Sequence, residues 1–176
     1  ITYKILNIAD LTVDGSFTLG GCVCATLIVE GGWNPLAALV ISLAAGLLAG
    51  AVTGFLHTVF EIPAILAGIL TQISLWSINL RIMGGKSNVP LLKSDTIFSW
   101  LVDATGLSQS MVSLIIGIVF AVALIIFLYW FFGTELGAAL RATGDNEDMI
   151  RALGVNIKKT KMLALMISNG LVALSG

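Results

Sequence analysis

Few residues of this 176-residue chain have side chains suited to chemistry. Two carboxylates, Asp10 and Asp14, stand four residues apart in "NIADLTVDGSFTLGG", directly before an apolar run. A single histidine, His57, lies four residues before Glu61, and Cys22 and Cys24 form a C-x-C pair inside apolar sequence. Gly84 to Ser87 reads GGKS, the closing half of the phosphate loop G-x-x-x-x-G-K-[ST], but Leu80 stands where that loop needs its first glycine. No strand pattern leads into it, so the chain itself is not read as a nucleotide binder. One histidine cannot build a zinc site, and neither a G-x-S-x-G elbow nor a carboxylate pair at catalytic spacing is present. The two cysteines read as small packing residues rather than redox or metal ligands. The expectation is therefore no catalytic residue, no metal site and no cofactor held by this chain.

The elements that carry these residues are hydrophobic. The chain is 57% hydrophobic with a mean hydropathy of +1.02, and it bears nineteen formal charges, nine basic and ten acidic. A bilayer crossing needs about 20 apolar residues as a helix. Pro35 to Leu56, Ile62 to Leu80 and Met111 to Phe132 supply such runs, Phe17 to Val29 is charge-free but short, and a further run begins at Met162. The fold class expected is an all-α polytopic membrane protein, a bundle of transmembrane helices. A soluble domain would need polar outer faces that these runs lack. A net charge of -1 argues against nucleic acid as a partner. Both termini read as cuts through helices, so residues 1–176 are expected to be a fragment of one transmembrane domain.

Asp10 and Asp14 matter because the span after them is short. If the apolar tail before them and Phe17 to Val29 form one discontinuous crossing, residues 10–16 are the break. Irregular backbone at membrane depth survives only where it lines a cavity or is buried in protein. Asp10, Thr12, Asp14 and Ser16 are then candidates for a translocation path. The competing reading makes Asp14 the N-cap of an interfacial helix, accepting from the amides near Phe17. In the next span Gly46, Gly50 and Gly54 recur every four residues, a small-residue stripe that lets another helix pack closely and places this span centrally.

Nine of the nineteen charges fall within residues 133–161, between two apolar runs. This polar island contains "RATGDNEDMIRALGVN". Asp145 reads as an N-cap with Asp148 at the third helical position, and Gly154 as the residue just past the end. The helix spans about two turns, with Met149, Ile150 and Leu153 on one face, and needs something to pack against. It either lies in the headgroup layer or docks on a protein. Its acidic first turn would be repelled by an anionic leaflet, which favours a protein. Five basic residues here against three in the long connection of residues 81–110 place the island in the cytoplasm.

Three stretches together carry a resemblance: "NIADLTVDGSFTLGG", "GLLAGAVTGFLHTVFEIPAILAGILTQISLWSINLRIMGGKS" and "LGAALRATGDNEDMIRALGVNIKKTKMLALMISNGLVALSG". In this order and spacing the chain resembles the permease subunits of bacterial ABC importers of the ribose and branched-chain amino acid type. The resemblance implies residence in the inner membrane and a permease dimer. It also implies two cytoplasmic ATPases carrying ATP and magnesium, and an extracytoplasmic solute-binding protein. It identifies residues 133–161 with the coupling loop, and Gly144, Asp145, Asn146, Glu147, Asp148, Met149, Ile150, Arg151, Leu153 and Gly154 with its ATPase-facing residues. Met149, Ile150 and Leu153 would be apolar anchors and Glu147, Asp148 and Arg151 rim charges. Sugar permeases commonly show G-I-D-L-S-V-G at the break; here Ala9 replaces the Ile and Asp14 the second Gly. That departure points toward amino acids, aromatic ones among them, with a related small solute such as a sugar as the other substrate class. The competing readings are a secondary transporter with Asp10 and Asp14 as ion ligands, and a membrane enzyme using His57 or Glu61.

Overall fold

In the computed structural model, residues 2–86 and 108–176 are described, and among them every regular element is a helix. Short α1 (Thr2–Leu6) precedes three long helices, α2 (Thr12–Val29), α3 (Pro35–Val59) and α4 (Ala64–Ile82). After them come α5 (Gln109–Phe132), α6 (Glu135–Asp145), α7 (Glu147–Ala152) and α8 (Ile157–Ser175). Four helices, α2 to α5, are long and apolar enough to cross a membrane. Residues 87–107 of the long connection lie outside the described residues, and so does Ser87, the last residue of GGKS.

Local chemistry explains the boundaries. Asn34 caps α3 by accepting from the Leu36 amide at 3.1 Å, with Pro35 in the first turn, where a missing N–H costs nothing. Thr134 opens α6 and Asn156 opens α8 in the same way, the latter accepting from the Lys159 amide at 3.2 Å. His57 Nδ1 lies 2.8 Å from the Ile62 carbonyl oxygen and holds the turn between α3 and α4.

The centre of the bundle is α3, packed against α2, α4 and α8. Its glycine stripe is the reason: Cβ atoms added at Gly46 or Gly50 would collide with the α8 backbone at Asn169, Leu165 and Met166, and one at Gly54 would meet Met162 at 3.1 Å. Backbone-to-backbone approach of this kind replaces side-chain interdigitation with dispersion between the chains themselves. Contacts of Ser16 with Asn169, of Leu11 with Gly68 and of Cys22 with Met83 show that α2 runs parallel to α8 and to α4. By contrast α5 joins the described chain mainly through α6, and most of its apolar side chains are exposed, as a lipid-facing helix requires.

The bundle has two distinct ends. At one, α1, α6 and α7 gather, and Lys158 pairs with Glu61 at 3.9 Å. At the other, Lys86 pairs with Glu30 at 3.5 Å. At the first end Leu6 and Ile8 pack with Phe131, Leu140 and Ala164, fixing the chain entry against α5, α6 and α8.

The interrupted entry and the loop helix

The interruption before α2 is real but sits earlier than residues 10–16. The helix is continuous from Thr12, so the irregular backbone covers residues 7–11, with Asn7 at a left-handed φ of 52°. The cap is also different. Asp14 lies inside the first turn; Asp10 Oδ1 accepts from the Thr12 amide at 2.9 Å and closes the start of the helix. The reason is reach: an aspartate two residues upstream forms a local turn with the amide it faces, whereas Asp14 already has helical neighbours on both sides.

This break lies inside the bundle. Thr12 meets Thr53, six residues before the end of α3, and Gly68 sits against Leu11, four residues into α4. At 1.5 Å per residue these positions are about 6–9 Å within the helix ends. Buried polar groups at such a depth must find partners, and here they do. Thr12 Oγ1 and Thr53 Oγ1 are 2.8 Å apart. Asn169, fully buried on α8, donates through Nδ2 to Asp10 Oδ2 at 2.7 Å and to the Leu165 carbonyl at 3.0 Å. Its Oδ1 accepts from Ser16 Oγ at 2.7 Å. One helical level further, Ser42 Oγ lies 3.1 Å from the carbonyl oxygens of both Gly20 and Ala173.

The four polar candidates therefore part company. Thr12 and Ser16 are fully buried between helices and hold α2 to α3 and α8. Asp10 is half-buried and belongs to the same network. Asp14 points the other way and is exposed, sharing the open face of α2 with Phe17 and Thr18. Thr53 and Asn169 were not singled out from the sequence, because Thr and Asn inside apolar runs give no local signal; the burial of both is set by long-range packing.

At the loop end the short helix α7 is built differently from its sequence pattern. Asp145 is the last residue of α6, not a cap, because helix continues through Gly144 until Asn146 turns to φ -154°, ψ 101°. Asn146 Oδ1 accepts from the Met149 amide at 3.0 Å, so Asn146 is the N-cap and Glu147 and Asp148 fill the first two helical positions, where carboxylates suit the helix dipole. The far end matches expectation: Gly154 has φ +82°, its amide donates to the Arg151 carbonyl, and the Val155 amide donates to the Ile150 carbonyl, a Schellman closure.

The apolar face splits as well. Ile150 is only 5% exposed and turns into the protein, while Met149 (51%) and Leu153 (71%) face outward. A six-residue helix needs a tertiary anchor, and Ile150 is that anchor. Gly144 is half-buried and also faces inward: a Cβ there would strike the Ile5 carbonyl, so α6 and α1 touch at this point. The outward surface thus consists of Asp145, Asn146, Glu147, Asp148, Met149, Arg151, Leu153 and Gly154. Glu147 forms an ion pair with Lys161, tying α7 to the first turns of α8, and the Arg141 guanidinium lies 5.2 Å from the Phe132 ring centre, fixing α6 to the end of α5. Among the described residues no cluster of three His, Cys, Asp or Glu side chains could hold a metal ion.

A bundle of helices, four of them long and apolar enough to cross a membrane, with an internally bonded entry and a short capped helix at one end, is the architecture of a multi-pass membrane protein. The whole chain, residues 1–176, matches the family described as "Branched-chain amino acid transport system / permease component", and it belongs to that family. It is 44% identical over all 176 residues to a tyrosine transport system permease protein of Clostridioides difficile, covering 56% of that protein. It is 38% identical to an uncharacterized protein of Rickettsia prowazekii (59% covered). Over 95% of its length it is 29% identical to the ribose import permease protein of Escherichia coli (51% covered). The chain thus spans a little over half the length of these relatives, and no solved structure matches it. Proteins of this family are permeases of the inner membrane rather than enzymes in their own right, and this chain has four helices long and apolar enough to cross a membrane.

Proposed function

We propose that this chain forms part of the translocation pathway of an ABC importer and receives the push of a cytoplasmic ATPase on α7. The observation that carries the proposal is the outward pair Met149 and Leu153 on a helix capped at both ends and fastened inward by Ile150 and Glu147. A rigid, short, apolar-tipped projection fits a groove on a protein partner, with Asp148 and Arg151 as rim charges. Nucleotide and magnesium then belong to that partner, because this chain offers GGKS without the first glycine of a phosphate loop. A second permease copy and an extracytoplasmic solute-binding protein complete the assembly.

The solute proposed is an amino acid. A carboxylate exposed on a membrane helix is too costly to face lipid, so the Asp14 face of α2 lines a path or an assembly contact. A carboxylate beside Phe17 suits the ammonium group and side chain of an amino acid better than a neutral sugar. The relative from Clostridioides difficile is named for tyrosine, which agrees with this reading. An ion-coupled transporter using both carboxylates is less well supported, since Asp10 is committed to Asn169 and Thr12 and Asp14 lies on another face.

The test is co-purification of the full-length protein from its native membrane with ATPase activity recorded. An ATP-hydrolysing subunit retained by the native protein and lost in Leu153→Glu, with the permease still in the membrane, is the expected result. A permease isolated alone, with uptake indifferent to ATP, would refute it.

A further inference from the structure

We propose that Asn169 is a positioning residue, a latch through which displacement of the loop end reaches the interrupted entry of α2. The inference rests on the ATPase-driven reading above. Three observations carry it. First, Asn169 uses its whole carboxamide: both Nδ2 protons are donated, to Asp10 and to the Leu165 carbonyl, and Oδ1 accepts from Ser16. The opposite orientation would turn a carbonyl oxygen toward the Asp10 carboxylate, so the network itself fixes the side chain. Second, Asp10 divides its two oxygens between Asn169 and the Thr12 amide. The same carboxylate therefore starts α2 and grips α8. Third, α8 is one unbroken helix from Ile157 to Ser175, joined to α7 by the Lys161–Glu147 pair. Twelve residues, about 18 Å of helix, connect its first residue to Asn169.

A helix of that length moves as a rod, so a tilt or slide of its loop end must shift Asn169 against Asp10. At membrane depth a charged hydrogen bond is not lost gradually, because leaving Asp10 unpartnered there is expensive. The contact is either made or replaced, which gives the entry segment two discrete arrangements. Thr12–Thr53 ties α2 to α3 without a charge and without α8, so it holds these two helices together while Asp10–Asn169 carries the switch.

The experiment is a charge swap in the full-length transporter, reconstituted with its partner subunits, reading solute taken up per ATP hydrolysed and the melting temperature in detergent. Asn169→Asp sets two carboxylates face to face and is expected to lower uptake per ATP roughly tenfold or more. The double variant Asp10→Asn with Asn169→Asp restores the amide–carboxylate bond between positions 10 and 169, though not the bond to the Leu165 carbonyl, and is expected to recover part of that ratio. A merely structural Asn169 would lower the amount of protein and both rates together, leaving their ratio unchanged. If the double variant is no better than Asn169→Asp, whether or not the single variant folds, the latch is overturned. Native protein whose uptake ignores ATP would fail the permease reading instead. In that case recovery of the melting temperature by the double variant still reports the Asp10–Asn169 contact, and absence of recovery removes it.

Discussion

Gly50→Ala tests the packing that makes α3 the centre of the bundle. A methyl at Gly50 would lie 2.7 Å from Met166 Cα and 2.8 Å from the Leu165 carbonyl carbon. Carbon atoms rest comfortably at about 3.5–4.0 Å, so α3 and α8 would have to part by about 1 Å. A gap of that size forfeits a quarter to a half of the attraction at each contact along the seam. Overpacking of this kind costs about 1–3 kcal/mol, and replacing a helical glycine by alanine returns up to about 1 kcal/mol. The expected net loss is up to about 2 kcal/mol. Gly117→Ala on α5 is the control, because no atom lies within 4 Å of its added Cβ; it should gain up to about 1 kcal/mol. The two variants should therefore differ by about 1–3 kcal/mol, roughly a 5- to 150-fold difference in the folded-to-unfolded ratio. Denaturant-driven unfolding of the purified full-length protein in mixed micelles reads this difference. Equal stability of Gly50→Ala and Gly117→Ala would show that α3 and α8 are not in backbone contact.

Four further outcomes are expected. Asn146→Ala should cost the α7 start about 1 kcal/mol and speed hydrogen exchange at the Met149 amide, while Asp145→Ala leaves that amide unchanged; the reverse would restore Asp145 as the cap. Ile150→Ala should loosen the loop by roughly 2–4 kcal/mol and expose it to protease, whereas Leu153→Ala changes protection by less than about 0.5 kcal/mol; equal cleavage would contradict the inward course of Ile150. Asn79, 4% exposed on α4, has no hydrogen-bond partner among the described residues for either side-chain polar atom, so Asn79→Leu should raise stability by about 1–3 kcal/mol; a lower melting temperature would reveal a partner for it in the complete transporter. Asp14→Asn should weaken uptake without lowering the melting temperature, since its carboxylate is exposed; unchanged uptake kinetics would take Asp14 off the path.

The spans were legible because membrane crossing imposes a length and a composition, and both are local. Pro35, with Asn34 before it, marked the start of α3 to the residue, and the α5 boundaries differ from the apolar run by two residues at one end. The entry to α2 was harder. Charge made residues 10–16 look like the break, yet the dihedral change falls at residues 7–11, because Asp14 tolerates helix once Asp10 has bonded the Thr12 amide. Sequence shows where polar groups are; which backbone they interrupt depends on the partner each finds.

The loop and the entry teach the same lesson about side chains. Met149, Ile150 and Leu153 share one helical face on paper, but a helix of six residues cannot keep its whole apolar face for a partner and still stand. One of the three had to turn inward, and Ile150 did, leaving Met149 and Leu153 for the outside. Asp10 and Asp14 divide their labour for a related reason. The carboxylate nearer the break is drawn to the one buried amide that can reach it, Asn169, 159 residues away in sequence. The other, one turn along the helix, is exposed beside Phe17 and Thr18. A pair that looks equivalent in sequence thus becomes one bonded carboxylate and one exposed carboxylate, and the residue that separates them, Asn169, lies on α8.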